Sequence, residues 1–90
     1  MPKLKIPSPL RPYASGESII TLPGETVAEI LEAVVEEHPE LKKHLFGDND
    51  QLRPFVNIFL HEENVNQLQG LDTPLTAGDT VLIIPAIAGG

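Results

Sequence analysis

The stretch from Thr26 to Glu36 leaves this chain little freedom of fold. Thr26 followed three residues later by Glu29 forms a capping box, and Val27, Ile30, Leu31, Val34 and Val35 then recur at helical spacing. Glu25, Glu29, Glu32 and Glu36 fall on the opposite, solvated face, and Pro39 marks the break that follows. A helix with one apolar stripe has to be laid on a partner surface, and the rest of the chain offers strands.

Leu4 and Ile6 alternate with lysines in a first strand, which the stretch Pro7-Ser8-Pro9-Leu10-Arg11-Pro12 ends because prolines donate no ladder hydrogen bond. Ile20 and Leu22 alternate with Thr21 in a second, closed by a turn at Pro23-Gly24. Beyond the helix, Leu41, Leu45 and Phe46 suggest a short helical segment before the loop residues Gly47-Asp48-Asn49-Asp50. Phe55 to Leu60 is a strand with Val56, Ile58 and Leu60 on one face, followed by a turn at His61-Glu62-Glu63-Asn64. Val65 begins a short return, Gly70 to Leu75 is irregular, and Ala77-Gly78-Asp79 turns into a last strand, Thr80 to Ile84. That strand is apolar almost throughout, as one covered on both faces would be. The order predicts an α+β fold, a mixed sheet crossed by one main helix with the last strand in its middle: a β-grasp, or ubiquitin-like, roll.

At 90 residues with 41% hydrophobic content, one domain with a single modest core is expected. The division predicted is 1–85 for the β-grasp domain and 86–90 for a flexible tail. Six basic against thirteen acidic residues give a net charge of −7, which disfavours nucleic acid and anionic membrane surfaces and favours a protein partner with a basic patch. The longest apolar run, Val81 to Ala88, is interrupted by Pro85 and far short of a membrane span; no signal sequence is evident, so a cytoplasmic location is expected. Cysteine is absent, which excludes disulfides, thiolate metal sites, iron–sulfur ligation and a cysteine nucleophile. His38 and His44 are six apart and no metal site is expected from them or from His61.

The sequence finishes on Ala86-Ile87-Ala88-Gly89-Gly90. Two terminal glycines carry no Cβ, so the backbone fits a channel too narrow for other residues, and five extended residues reach roughly 17 Å. The plain alternative is a disordered stub. The strand directly before it, Pro85, and the Gly78-Asp79-x-Val81 turn favour a working tail with the Gly90 carboxylate as its reactive group.

The stretch Phe55 to Gly90, with Phe-Val-Asn-Ile-Phe-Leu, Gly70-Leu71-Asp72-Thr73, Ala77-Gly78-Asp79-Thr80-Val81 and Pro85-Ala86-Ile87-Ala88-Gly89-Gly90, resembles the ubiquitin-like sulfur carriers of the MoaD/ThiS family. Leu10-Arg11-Pro12, Arg53-x-Phe55-Val56-Asn57-Ile58 and Glu62-Glu63 resemble most the carrier of cysteine biosynthesis. The resemblance implies a protein co-substrate, not an enzyme, with no bound cofactor. An E1-like enzyme would use ATP to adenylate Gly90. A sulfurtransferase or persulfide donor would convert the acyl-adenylate to a thiocarboxylate. A PLP-dependent cysteine synthase would accept the sulfur. The alternatives are the small subunit of molybdopterin synthase, whose tail inserts into a larger subunit, a thiamine or tRNA-thiolation carrier, and, in another class, a β-grasp interaction module with an inert tail.

Phe55 and Phe59 lie on the strand face opposite Val56, Ile58 and Leu60. With Arg53 they are candidates for the surface that docks the activating enzyme. The plain alternative is that the aromatics cover the sheet's other side or the Gly47 loop, and that Arg53 simply flanks the strand.

Overall fold

The computed structural model describes residues 1–47, 51–54 and 56–85. Its five strands are β1 (Lys3–Lys5), β2 (Ile19–Thr21), β3 (Val56–Leu60), β4 (Glu63–Asn64) and β5 (Thr80–Pro85); the helices are α1 (Val27–Glu37) and α2 (Lys42–Leu45). The spatial order is β2-β1-β5-β3-β4, with β1 and β5 parallel and every other neighbouring pair antiparallel. This is the expected mixed sheet, and the last strand is its centre.

The inward residues of the sheet, Leu4, Ile20, Val56, Ile58, Leu60, Val81 and Ile83, share one buried cluster with Val27, Ile30, Leu31 and Val34 of α1. Alternation along each strand and the 3.6-residue period of α1 therefore meet in one core. The helix starts as its sequence requires, with one refinement. The Thr26 hydroxyl accepts from the Glu29 amide at 3.3 Å, but Glu29 Oε1 accepts from the Glu25 amide rather than from that of Thr26. The reciprocal arm thus reaches one residue further out than in the usual box. The segment after Gly70 completes this end. The Val27 amide donates to the Thr73 carbonyl and the Leu75 amide to the Glu25 carbonyl. Buried Thr73 is itself held by its hydroxyl, which donates to the Gly70 carbonyl at 2.7 Å and accepts from the Gln69 amide.

Three features differ from the sequence reading. Residues Ser8–Ala14 form a 3₁₀ helix, not a plain break, and bury Leu10 and Ala14. Its first turn needs no donor from a proline, so the residues that end β1 also start it. The return strand is Glu63–Asn64, and Val65 opens a 3₁₀ turn instead.

The third concerns β5, which is not covered on both faces. Val81 and Ile83 are buried, but Leu82 is half-buried and Ile84 is 42% exposed. The cause is arithmetic of layers: α1 packs on one face of the sheet, and the element that would cover the other is not there among the described residues.

The connection from β3 to β4 is a two-residue hairpin in which His61 (φ 53°) and Glu62 (φ 68°) both occupy the left-handed region, without glycine. His61 Nε2 lies 3.0 Å from Asp79 Oδ1, which ties this turn to the one that starts β5. Asp79 also accepts the Thr76 amide at 2.8 Å. That bond, more than the opposing effect of burial, holds its carboxyl below the ordinary 3.8, with His61 adding to it. Since the folded-state value is lowered, the stabilisation is full above pH 3.8 and is lost as pH falls through the lowered value. Asp79→Ala is expected to cost about 1 kcal/mol at neutral pH, a fall in Tm of roughly 4–8 °C. The gap between variant and parent should narrow in melts taken below pH 4; a gap independent of pH would remove the charge from this account.

Candidate functional site

The proposed reactive residues Ala86, Ile87, Ala88, Gly89 and Gly90 lie outside the described residues, as does Phe55. The structure describes what they are attached to. β5 is hydrogen-bonded to β1 on one side and to β3 on the other, and Pro85 stands opposite Val56. With Val81 and Ile83 in the core, the chain that leaves at Pro85 leaves from the best-anchored strand of the sheet.

Around Pro85, residues distant in sequence form a shallow groove: Leu10 from the 3₁₀ helix, Lys43 and His44 from α2, and Arg53. Arg53 assembles it. Its Nε donates to the Lys43 carbonyl at 2.8 Å and its amide to the Leu45 carbonyl, while its own carbonyl accepts the Val56 amide. It therefore fastens α2 to the start of β3, a positioning task beyond flanking the strand. His44 stacks on Tyr13 with ring centroids 4.0 Å apart, and its Nε2 is buried without a hydrogen-bond partner.

The uncovered face of the sheet supplies a second surface. The registers place Ile19, Lys5, Leu82, Phe59 and Asn64 in one row across all five strands. Phe59 and Leu82 are half-buried, while Ile84 (42%) and Ile19 (50%) are exposed. Phe59, Leu82 and Ile84 share a shallow depression rimmed by His61, Glu62 and Thr80. Phe59 thus lies where the sequence put it, on the face opposite Val56, Ile58 and Leu60. Arg53 lies in the groove beside Pro85 and lines no part of this depression. Leu82 and Ile84 were missed as surface residues. One signal could have found them: a chain with one substantial helix can cover only one face of its sheet.

Charge is distributed unevenly over these surfaces. Glu25, Glu29, Glu32 and Glu36 are exposed along α1, whereas Lys3 and Lys5 are exposed on the open face of the sheet. Among the described residues no cluster of histidine and carboxylate groups could hold a metal ion, and no helix is long and apolar enough to cross a membrane.

Comparison with known proteins matches residues 4–90 to the ThiS family. The chain is 32% identical over 89 residues to the sulfur carrier protein CysO of Mycobacterium tuberculosis, covering 97% of this chain and 96% of that one. Among solved structures it superposes on a chain of the Amycolatopsis orientalis BexX/CysO complex with a TM-score of 0.89 at 34% identity, covering both chains completely. It superposes on small archaeal modifier protein 1 from Methanosarcina acetivorans with a TM-score of 0.88 at 32% identity, covering 99% of this chain and 95% of that one.

Proposed function

This chain belongs to the ThiS family of ubiquitin-like sulfur carriers, and we propose that it carries sulfur as a thiocarboxylate on Gly90 for the synthesis of cysteine. The observation that carries the reading is the family match, which runs through the whole sheet and on through Gly90. The structure adds a reason why this position suits the work: the tail is rooted in the central strand, so a partner that holds the domain also fixes where the tail begins.

The chemistry needs no side chain of this protein as a catalyst. The Gly90 carboxylate attacks the α-phosphate of ATP in an E1-like enzyme and expels pyrophosphate. The terminal sulfur of a persulfide on the sulfurtransferase or other donor then displaces AMP at the activated carbonyl to give an acyl disulfide. A second thiol of the donor cleaves its S–S bond, forming a donor disulfide and releasing the thiocarboxylate. The resulting thioacid is ionised at neutral pH and is a nucleophile without an adjacent base. Its sulfur adds to an aminoacrylate held by a PLP-dependent synthase, and hydrolysis of the adduct releases cysteine and restores the Gly90 carboxylate. The domain before Pro85 is the handle. Phe59, with Leu82 and Ile84 beside it on the open sheet face, is the docking surface for the activating enzyme; Phe55 stays a sequence candidate for it, while Arg53 lies apart from it in the groove beside Pro85.

The cysteine step has its own test. Thiocarboxylated chain is mixed with a PLP-dependent cysteine synthase and an activated serine, and the intact mass of the carrier is followed. A transient gain of one cysteinyl group is expected. Formation of cysteine from free sulfide but never from the thiocarboxylate would remove the cysteine assignment and leave the carrier role to another acceptor.

A further inference from the structure

The chain has only six Lys and Arg residues against thirteen carboxylates, yet two of the six, Lys43 and Arg53, line the groove beside Pro85. No carboxylate lines it among the described residues. Lys43 is exposed, and its ammonium has no hydrogen-bond or ion-pair partner among the described residues. His44 adds an imidazole to the same wall, its Nε2 buried and unpartnered. The floor is apolar, formed by Leu10 and Pro85. A donor-rich wall over an apolar floor is complementary to a carboxylate side chain, whose oxygens accept from lysine and guanidinium groups while its methylene stem lies on the floor.

We infer that the groove at the root of the tail receives an acidic side chain from the rim of the partner site that takes in the tail. This rests on the proposed carrier role and specifies its partner surface. Five residues separate the site from Gly90, a reach of up to roughly 17 Å when extended in a narrow channel, which keeps the nucleotide phosphates that meet the carboxylate away from the groove. Overall the protein is strongly acidic, which draws it toward basic surfaces; at the tail root the sign is reversed. A partner that is basic at large but acidic around the mouth of its channel would be met in one orientation only, with the tail directed at the mouth. Rim charges act in this way on encounter and specificity more than on bound-state chemistry.

The test compares two variants of the full chain that each lower the net charge by one: Lys43→Gln inside the groove and Gln67→Glu, an exposed position outside it. Both are titrated in carrier-dependent exchange of pyrophosphate into ATP with an adenylating enzyme that activates the parent, at low and high salt, and both are melted. Lys43→Gln is expected to raise the KM for the carrier about threefold to tenfold, to leave kcat unchanged and to flatten the dependence of KM on salt. Gln67→Glu is expected to stay within about twofold of the parent, and both should melt as the parent does. Equal KM values for the two variants would overturn the groove while leaving the carrier role standing. Failure of the parent to support exchange with any adenylating enzyme would overturn the carrier role, and the groove with it.

Discussion

Removal of Gly90 is expected to abolish sulfur loading while shifting the melting temperature by no more than about 2 °C. The stability half follows from where the core lies: among the described residues its last members in β5 are Val81 and Ile83, and the last pair of the ladder to β3 is Pro85 opposite Val56, five residues before Gly90. The functional half follows from reach. Shortening the tail by one residue withdraws the carboxylate by about 3.3–3.6 Å, and a misplacement of about 1 Å at a reacting centre can already cost about 100-fold. Gly89→Val should act in the same direction by adding a branched side chain where a narrow channel admits backbone alone. Intact mass after incubation with the activating enzyme, ATP and a sulfur donor reads the first quantity, and thermal unfolding the second. A large fall in Tm on removing Gly90 would mean that the tail is a structural element instead.

Gly24→Ala is expected to produce the opposite pattern, a large loss of stability with the reactive group untouched. Gly24 sits at φ 151°, a conformation that L-residues rarely adopt, two residues before the Thr26 cap of α1. A Cβ there would stand 2.9 Å from both Glu29 Cβ and Ile30 Cγ2, and 3.1 Å from the Ile30 amide nitrogen. None of these can retreat easily. Ile30 is fully buried, and Glu29 is held by its bond to the Glu25 amide. Strain and overpacking together should cost about 3 kcal/mol, a drop of roughly 12–24 °C in a domain of this size. Loading measured well below the melting point should persist, because α1 contributes nothing to the groove or to the open sheet face. A variant that melts as the parent does would show that the segment before α1 readjusts freely.

The elements set by local pattern were legible in the sequence. Thr26 with Glu29, and Val27, Ile30, Leu31 and Val34 after them, specify α1 and its buried stripe; Val56, Ile58 and Leu60 specify the inward face of β3. The uninterrupted apolar run of β5 correctly marks a central strand, but it does not say which face is covered. Ile84 and Leu82 are apolar because a strand rewards β-branched and aliphatic residues, while their exposure depends on a layer that no local pattern encodes. Prolines 9 and 12 read as breakers, yet a 3₁₀ segment accepts them and uses the same stretch to bury Leu10. The groove was out of reach for a different reason. Leu10, Lys43, Arg53 and Pro85 come from four separate segments that only the folded chain brings to one groove, and the hydrogen bonds of Arg53 to the 43 and 45 carbonyls join two of those segments.

The most direct measurement of the central claim is the intact mass of the unmodified chain, ending freely at Gly90, after incubation with ATP, an E1-like activating enzyme and a sulfur donor. The mass is expected to rise by the exchange of one oxygen for one sulfur, confined to the C-terminal peptide. An unchanged mass with an activator that loads other carriers of the family, or a sulfur found elsewhere in the chain, would contradict the account.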